Sequence, residues 1–147
     1  MKTVLCLIAA MFLCGFVAPV LAQDDGLPPN ANKALIEENL LIGLASDNQG
    51  LKKSCALMLG QIYSKRGTIP LMAVLRDSEN PDLRIAAAWS LCRIGSGIGT
   101  YFVSQTVRFD DDLKVKAYCA WFYDLYVQKG VFAIRQAEAP LVSEVSR

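Results

Sequence analysis

The sequence predicts an all-α fold built by repetition, and two observations carry the prediction. The stretch from Pro81 to Ile94, PDLRIAAAWSLCRI, recurs in altered form upstream as GLKKSCALMLGQI and downstream as DLKVKAYCAWFYD. Within each copy the apolar residues return at the three- and four-residue steps of a helix, and clusters of Gly, Asp, Ser and Asn separate the copies.

The chain begins with what reads as a secretory signal over residues 1–22: Lys2 is the positive flank, Val4 to Val20 is almost wholly apolar, and Val20-Leu21-Ala22 places small residues at the cleavage positions. The expected mature start is Gln23. An uncleaved membrane anchor stays open beside cleavage, because the apolar run approaches the ~18 residues of a spanning helix. Residues 23–31 (QDDGLPPNA) read as a flexible leader, 32–137 as the repeat domain and 138–147 as a tail. Asn32 is an expected N-cap, followed by a helix over 33–45 carrying Leu35, Ile36, Leu40, Leu41 and Leu44, which the cluster at 46–50 ends.

Aligned on their first leucine, the three copies start at Leu51, Leu83 and Leu113, spacings of 32 and 30 residues that fall in the range of stacked-repeat arrays. Four past the leucine stand Cys55, Ala87 and Ala117; eight past it, Leu59, Leu91 and Trp121; eleven past it, Ile62, Ile94 and, out of pattern, Asp124. At ~100° per residue these offsets share one face, the expected stacking core. Shorter helices are expected over 68–76, 101–108 and 131–137, between breaks at 65–67, 77–80, 95–99, 110–112 and Gly130. Asn80-Pro81 is a helix start by residue type. The three aspartates Asp110 to Asp112 suit a helix N-terminus better than a cation, since calcium takes six or more oxygens.

These residues resemble HEAT-like repeats of the short subtype with the consensus Leu/Val-Arg-x-x-Ala-Ala-x-Ala-Leu-x-x-Ile-Gly. The middle copy matches at Leu83-Arg84, Ala87-Ala88, Ser90-Leu91 and Ile94-Gly95, and Ile69-Pro70-Leu71 with Leu75-Arg76-Asp77 is similar to the family's second helix. The third copy departs at Tyr118, Phe122 and Asp124. The resemblance implies a right-handed α-α superhelix of about three helix pairs plus a leading helix, used mostly for binding proteins. A few relatives act on bilin chromophores or repair DNA, but none of their catalytic residues maps here, so the alternative of a ligand-binding or enzymatic repeat protein, like that of an envelope-tethered structural component, has no residues to name.

Composition narrows function further. Without the signal the chain carries 14 bases and 14 acids, a formal charge of zero, which argues against nucleic acid as a partner. The absence of histidine removes the commonest general base and metal ligand. Gly95-x-Gly97-x-Gly99 follows a helix rather than a strand, so it is a turn and not a phosphate cradle. No nucleophile–base pair, metal site or cofactor site can be named, and no enzyme is expected.

The side of the long helices opposite the expected core should be polar. Instead it carries Ile85, Trp89 and Cys92 in the second copy and Val115, Cys119, Phe122 and Tyr126 in the third. Either the C-terminal tail covers this face or it binds a partner, a second copy or another protein. Cys55 is expected in the core. Cys92 and Cys119 are expected on adjacent outer faces, too far apart for a disulfide.

Overall fold

The structure is a computed structural model that describes residues 26–132; among them the fold is all-α, with no strand. Six α-helices follow one another: α1 (Lys33–Leu44), α2 (Gln49–Gln61), α3 (Thr68–Asp77), α4 (Pro81–Ile94), α5 (Gly97–Phe109) and α6 (Leu113–Tyr126), with a 3-10 turn at Lys65–Gly67 before α3. The signal segment 1–22, residues 23–25 of the leader, residues 133–137 of the expected third short helix and the tail 138–147 lie outside the described residues.

The long helices α2, α4 and α6 begin by the same device. Two residues before each cap, a short polar side chain accepts the cap's own N–H: Ser46 Oγ from Asn48, Ser78 Oγ from Asn80 and Asp110 Oδ1 from Asp112, at 3.2, 3.2 and 2.8 Å. The cap's side chain in turn accepts from the first turn, Asn48 from Leu51 N–H at 3.0 Å, Asn80 from Asp82 N–H at 2.9 Å and Asp112 from Lys114 and Val115 N–H at 2.8 and 3.2 Å. Each helix thus fills otherwise orphaned donors before it starts to bury apolar surface. The aspartate triplet serves this end, and Asn80-Pro81 and Asn32 start α4 and α1 as their residue types predict.

Asn48, Asn80 and Asp112 are 32 residues apart at both steps. The spacing of 30 obtained from Leu113 is therefore corrected: the residue equivalent to Leu51 and Leu83 is Val115. A slip of two residues turns a helix by ~200°, so the expected core and outer faces of the third copy exchange places. Val115 is fully buried and Leu113 is 79% exposed. In the true register the seventh and eighth residues after each cap are small and buried throughout: Cys55-Ala56, Ala87-Ala88 and Cys119-Ala120.

The helix α4 is the centre of the domain, packed against α2, α3, α5 and α6. Its contact with α2 is set by Gly60. A Cβ on Gly60 would stand 2.6 Å from the Ser90 Cα, nearer than atoms can approach. Ser90, fully buried, has its one hydroxyl proton shared between the Ala56 carbonyl at 2.7 Å and the Ala86 carbonyl of its own helix at 2.9 Å, so the hydroxyl is satisfied where the helices touch. Gly43 plays the same part between α1 and α2, where a Cβ would meet the Cys55 sulfur. On the other side of α4, Leu71, Leu75 and Val103 from the short helices complete the core.

The expected breaks at 46–50 and 95–99 are shorter than their glycines suggest. Gln49 and Gly50 lie within α2, and α5 starts at Gly97 because Ser96 Oγ accepts the Gly99 N–H at 3.2 Å. Gly99 admits the side chain of Leu91, whose Cδ2 lies 3.1 Å from where a Cβ would be.

The register has a direct test. Val115→Ala should cost about 2 kcal/mol, the transfer of two methyls plus a partly filled cavity, and Leu113→Ala within about 0.5 kcal/mol of nothing. Urea denaturation of both variants reads this, and the reverse ranking would restore the 30-residue spacing. Gly60→Ala should cost about 1–3 kcal/mol by forcing α2 and α4 apart; a neutral result would show that the contact can relax.

Candidate interaction surface

Of the residues expected on an exposed outer face, the structure brings only some to the surface. Cys92, Val115, Cys119 and Phe122 are buried and are corrected to core. Val115, Cys119 and Phe122 turned inward with the two-residue slip; Cys92, on the flank of α4, is covered because α6 packs along that flank. Ile85 and Trp89 are half-buried, and Tyr126 is 42% exposed at the end of α6.

The surface that does face solvent follows from the 32-residue interval. The fifth, ninth and thirteenth residues after each cap lie a turn apart along one stripe. They are Lys53, Leu57 and Gln61 on α2, Ile85, Trp89 and Arg93 on α4, and Ala117, Trp121 and Leu125 on α6. Cross-links between the helices hold them side by side. Lys114 Nζ donates to Asp82 at 3.0 Å, each two residues past its cap, and Arg93 reaches back to Tyr63 at the end of α2. The three stripes thereby form one ridge that grows more apolar from α2 to α6.

The α6 end is the most exposed. Trp121 is 37% and Leu125 51% accessible, and Leu113, one turn before Ala117, continues the stripe. Beneath them Tyr118, Trp121 and Phe122 pack ring against ring with centroids 5.3–6.4 Å apart, which fixes the Trp121 indole from below. At the centre of the ridge, the Arg93 guanidinium lies 5.0 Å from the Trp89 ring centroid and 4.9 Å from that of Tyr63, and donates to the Tyr63 hydroxyl at 2.8 Å. Tyr63 holds φ +52°, the left-handed conformation that Gly95 takes 32 residues later. A side chain there costs about 1 kcal/mol, and it is the position from which the ring reaches Arg93.

The remaining polar chemistry is structural. Arg84 meets Asp110 at 2.6 Å and Asp112 at 3.8 Å, all three largely shielded, which ties α4 to the turn that caps α6. Lys114 holds the Asp82 carboxyl below its ordinary range through their hydrogen bond. Two open grooves of about 720 and 400 Å³, one at the α3–α4 turn and the other at the α5–α6 turn, are lined by residues largely equivalent at the 32-residue interval, Lys52 with Arg84 among them. Among the described residues there is no group of three or more His, Cys, Asp or Glu able to hold a metal, and no helix long and apolar enough to cross a membrane.

The cysteines are free and buried. Burial pushes the Cys92 thiol up to about 12 and raises Cys55 and Cys119 as well; for Cys119 the neighbouring Cys92 adds to the effect. As the thiolate is the reactive form, these groups are poor nucleophiles. Ellman's reagent at pH 8 should label none of the three in the chain from Gln23 until denaturant is added; rapid labelling of Cys92 or Cys119 in the folded chain would contradict the packing of α4 on α6.

Arg93, Tyr63, Ala117, Trp121, Leu113 and Leu125 were not found as surface residues from the sequence. The signal that locates them is the recurring tripeptide before each long helix, Ser46-Asp47-Asn48, Ser78-Glu79-Asn80 and Asp110-Asp111-Asp112. Compared with protein-family models and with curated proteins, the chain matches none.

Proposed function

We propose that this chain is a non-catalytic protein-interaction module, exported to the periplasm or cell envelope, whose helix pairs form a short right-handed superhelix of the HEAT-like kind and bind through the outer ridge. The observation that carries the reading is the exposed stripe Leu113, Ala117, Trp121 and Leu125 on the last long helix, in register with Trp89. Scattered surface leucines need no explanation, but a stripe at four-residue steps, with a tryptophan braced by two rings, has the make-up of an interface centre. Tryptophan held in one orientation loses little entropy on binding.

The 32-residue cap interval and the match of Leu83-Arg84, Ala87-Ala88 and Leu91 to the short HEAT-like consensus support the superhelix. The basic, apolar and small-residue order of residues 1–22 supports export.

A photo-crosslinking residue at position 121 in the native cell should trap a protein, a second copy or another chain. The same residue at Glu79, on the turn before α4, should trap none. Trp121→Glu should keep the helical circular dichroism and lose the adduct formed from position 125. Equal yields from 121 and 79, or an adduct indifferent to Trp121→Glu, would remove the ridge as the binding surface. N-terminal sequencing of the protein from the envelope should begin at Gln23; a start at Met1 would leave it anchored.

A further inference from the structure

Resting on the reading of the ridge as an interaction surface, we infer that the protein segment it receives carries a carboxylate beside an aromatic or branched apolar side chain, and that Arg93 is the anchor for that carboxylate. Three features of Arg93 point to this occupant. First, the guanidinium is poorly satisfied within the chain. Of its five N–H donors the structure pairs one, with Tyr63, and its Nε–H is buried with no acceptor. Among the described residues Arg66, Arg76 and Arg84 each meet a carboxylate, whereas Arg93, like the exposed Arg108, does not, and Arg93 meets two rings instead.

Second, the group is held in place. The rings of Tyr63 and Trp89, each about 5 Å away, fix the guanidinium, and the Tyr63 backbone is kept in the left-handed region to do so. An arginine already immobilised loses little on pairing, and its fork of donors matches a carboxylate in two parallel hydrogen bonds.

Third, the surroundings are complementary in charge. The nine ridge positions include two bases, Lys53 and Arg93, and no acid. Asp82, the carboxylate nearest in sequence, is engaged by Lys114, and Asp124 on α6 accepts from the Phe132 N–H. Arg93 lies against Trp89, and the ridge runs on through Trp121 and Leu125 of α6, so a partner lying along the ridge from the arginine also covers apolar surface. A nucleic-acid backbone would bring phosphates without that apolar cover, and the mature chain has no net positive charge to draw it.

The test uses a random peptide display library selected on the folded chain from Gln23, with Arg93→Gln and Trp121→Glu chains as counter-targets. Selected peptides should carry Asp or Glu within a few residues of an aromatic or branched apolar residue. Arg93→Gln should weaken a selected peptide about tenfold or more. Replacing the peptide's acid by its amide should cause the same loss, and combining the two changes should add little further. The peptide-side change leaves the protein untouched, so it stands even where Arg93→Gln loosens the fold. Peptides without an acid, or held by the Arg93→Gln chain within twofold, would overturn the role of Arg93 and leave the ridge standing, provided they are lost with Trp121→Glu. Peptides indifferent to both substitutions, or a library yielding no binder, would overturn both.

Discussion

A close approach of two backbones, where Gly60 of α2 lies on Ser90 in α4, sets the packing around the central helix. With no side chain at Gly60 the helices touch through their main chains, and the Ser90 hydroxyl closes the contact by donating to the Ala56 carbonyl. That proximity demands small residues around it. Ala56, Ala86, Ala87 and Ala88 supply them, and all are buried. A helix as thin as this stretch of α4 can be covered from several directions at once, so α4 receives α3, α5 and α6 as well as α2. At the next step of the register the equivalent positions hold Cys92 and Phe122, both buried, so α6 meets α4 through side chains.

The helical content, the strong start at Asn80-Pro81 and the core placement of Cys55, Leu59, Ile62, Leu83, Ala87 and Leu91 were legible from periodicity alone, because in these two copies the commonest helix signals and the true register largely coincide; Leu51, expected on the same face, is exposed, and Ile94 is half-buried. The third copy was not legible in the same way. Leu113-Lys114 imitates the Leu-Arg pair of the middle copy two residues early, and an alignment on apolar identity accepts it. What fixes the phase in the folded chain is polar: the cap and the side chain that braces it, residues a hydrophobicity pattern ignores. The consequence for the candidate surface was large, since a two-residue slip moves every side chain to nearly the opposite side of its helix. Trp89, Ile85 and Tyr126 survive from the expected surface; Trp121 takes the place of Phe122 and Val115.

Tyr63 and Gly95 show how equivalent positions can diverge in purpose. Both end a long helix in the left-handed region, where glycine is the unstrained choice. At 95 the chain uses glycine. At 63 it uses tyrosine, accepts the steric cost, and obtains a ring and a hydroxyl for Arg93 of the next unit. The same divergence appears at the other helix ends. Arg84 pairs with Asp110 and Asp112, while its equivalent Lys52 lies in a groove where the matching positions are the uncharged Ser78 and Asn80, beside Asp77 and Glu79. Shared geometry and unshared chemistry let successive units stack alike and present different surfaces.

Between helix end and cap the turns before α4 and α6 are two residues long and that before α2 is three, and each has its polar groups already committed: a side chain to the cap's N–H, the cap to the first turn. Such a joint leaves no slack. Genetic change of length is therefore filtered by size. A codon gained inside a long helix would rotate the remainder by ~100° and bring buried alanines to the surface, whereas duplication of a whole 32-codon block would add a unit with its joint intact. The gene can lengthen by copying and is poorly placed to drift by single insertions, which makes the number of units, rather than their internal length, the quantity most open to variation among descendants of this chain.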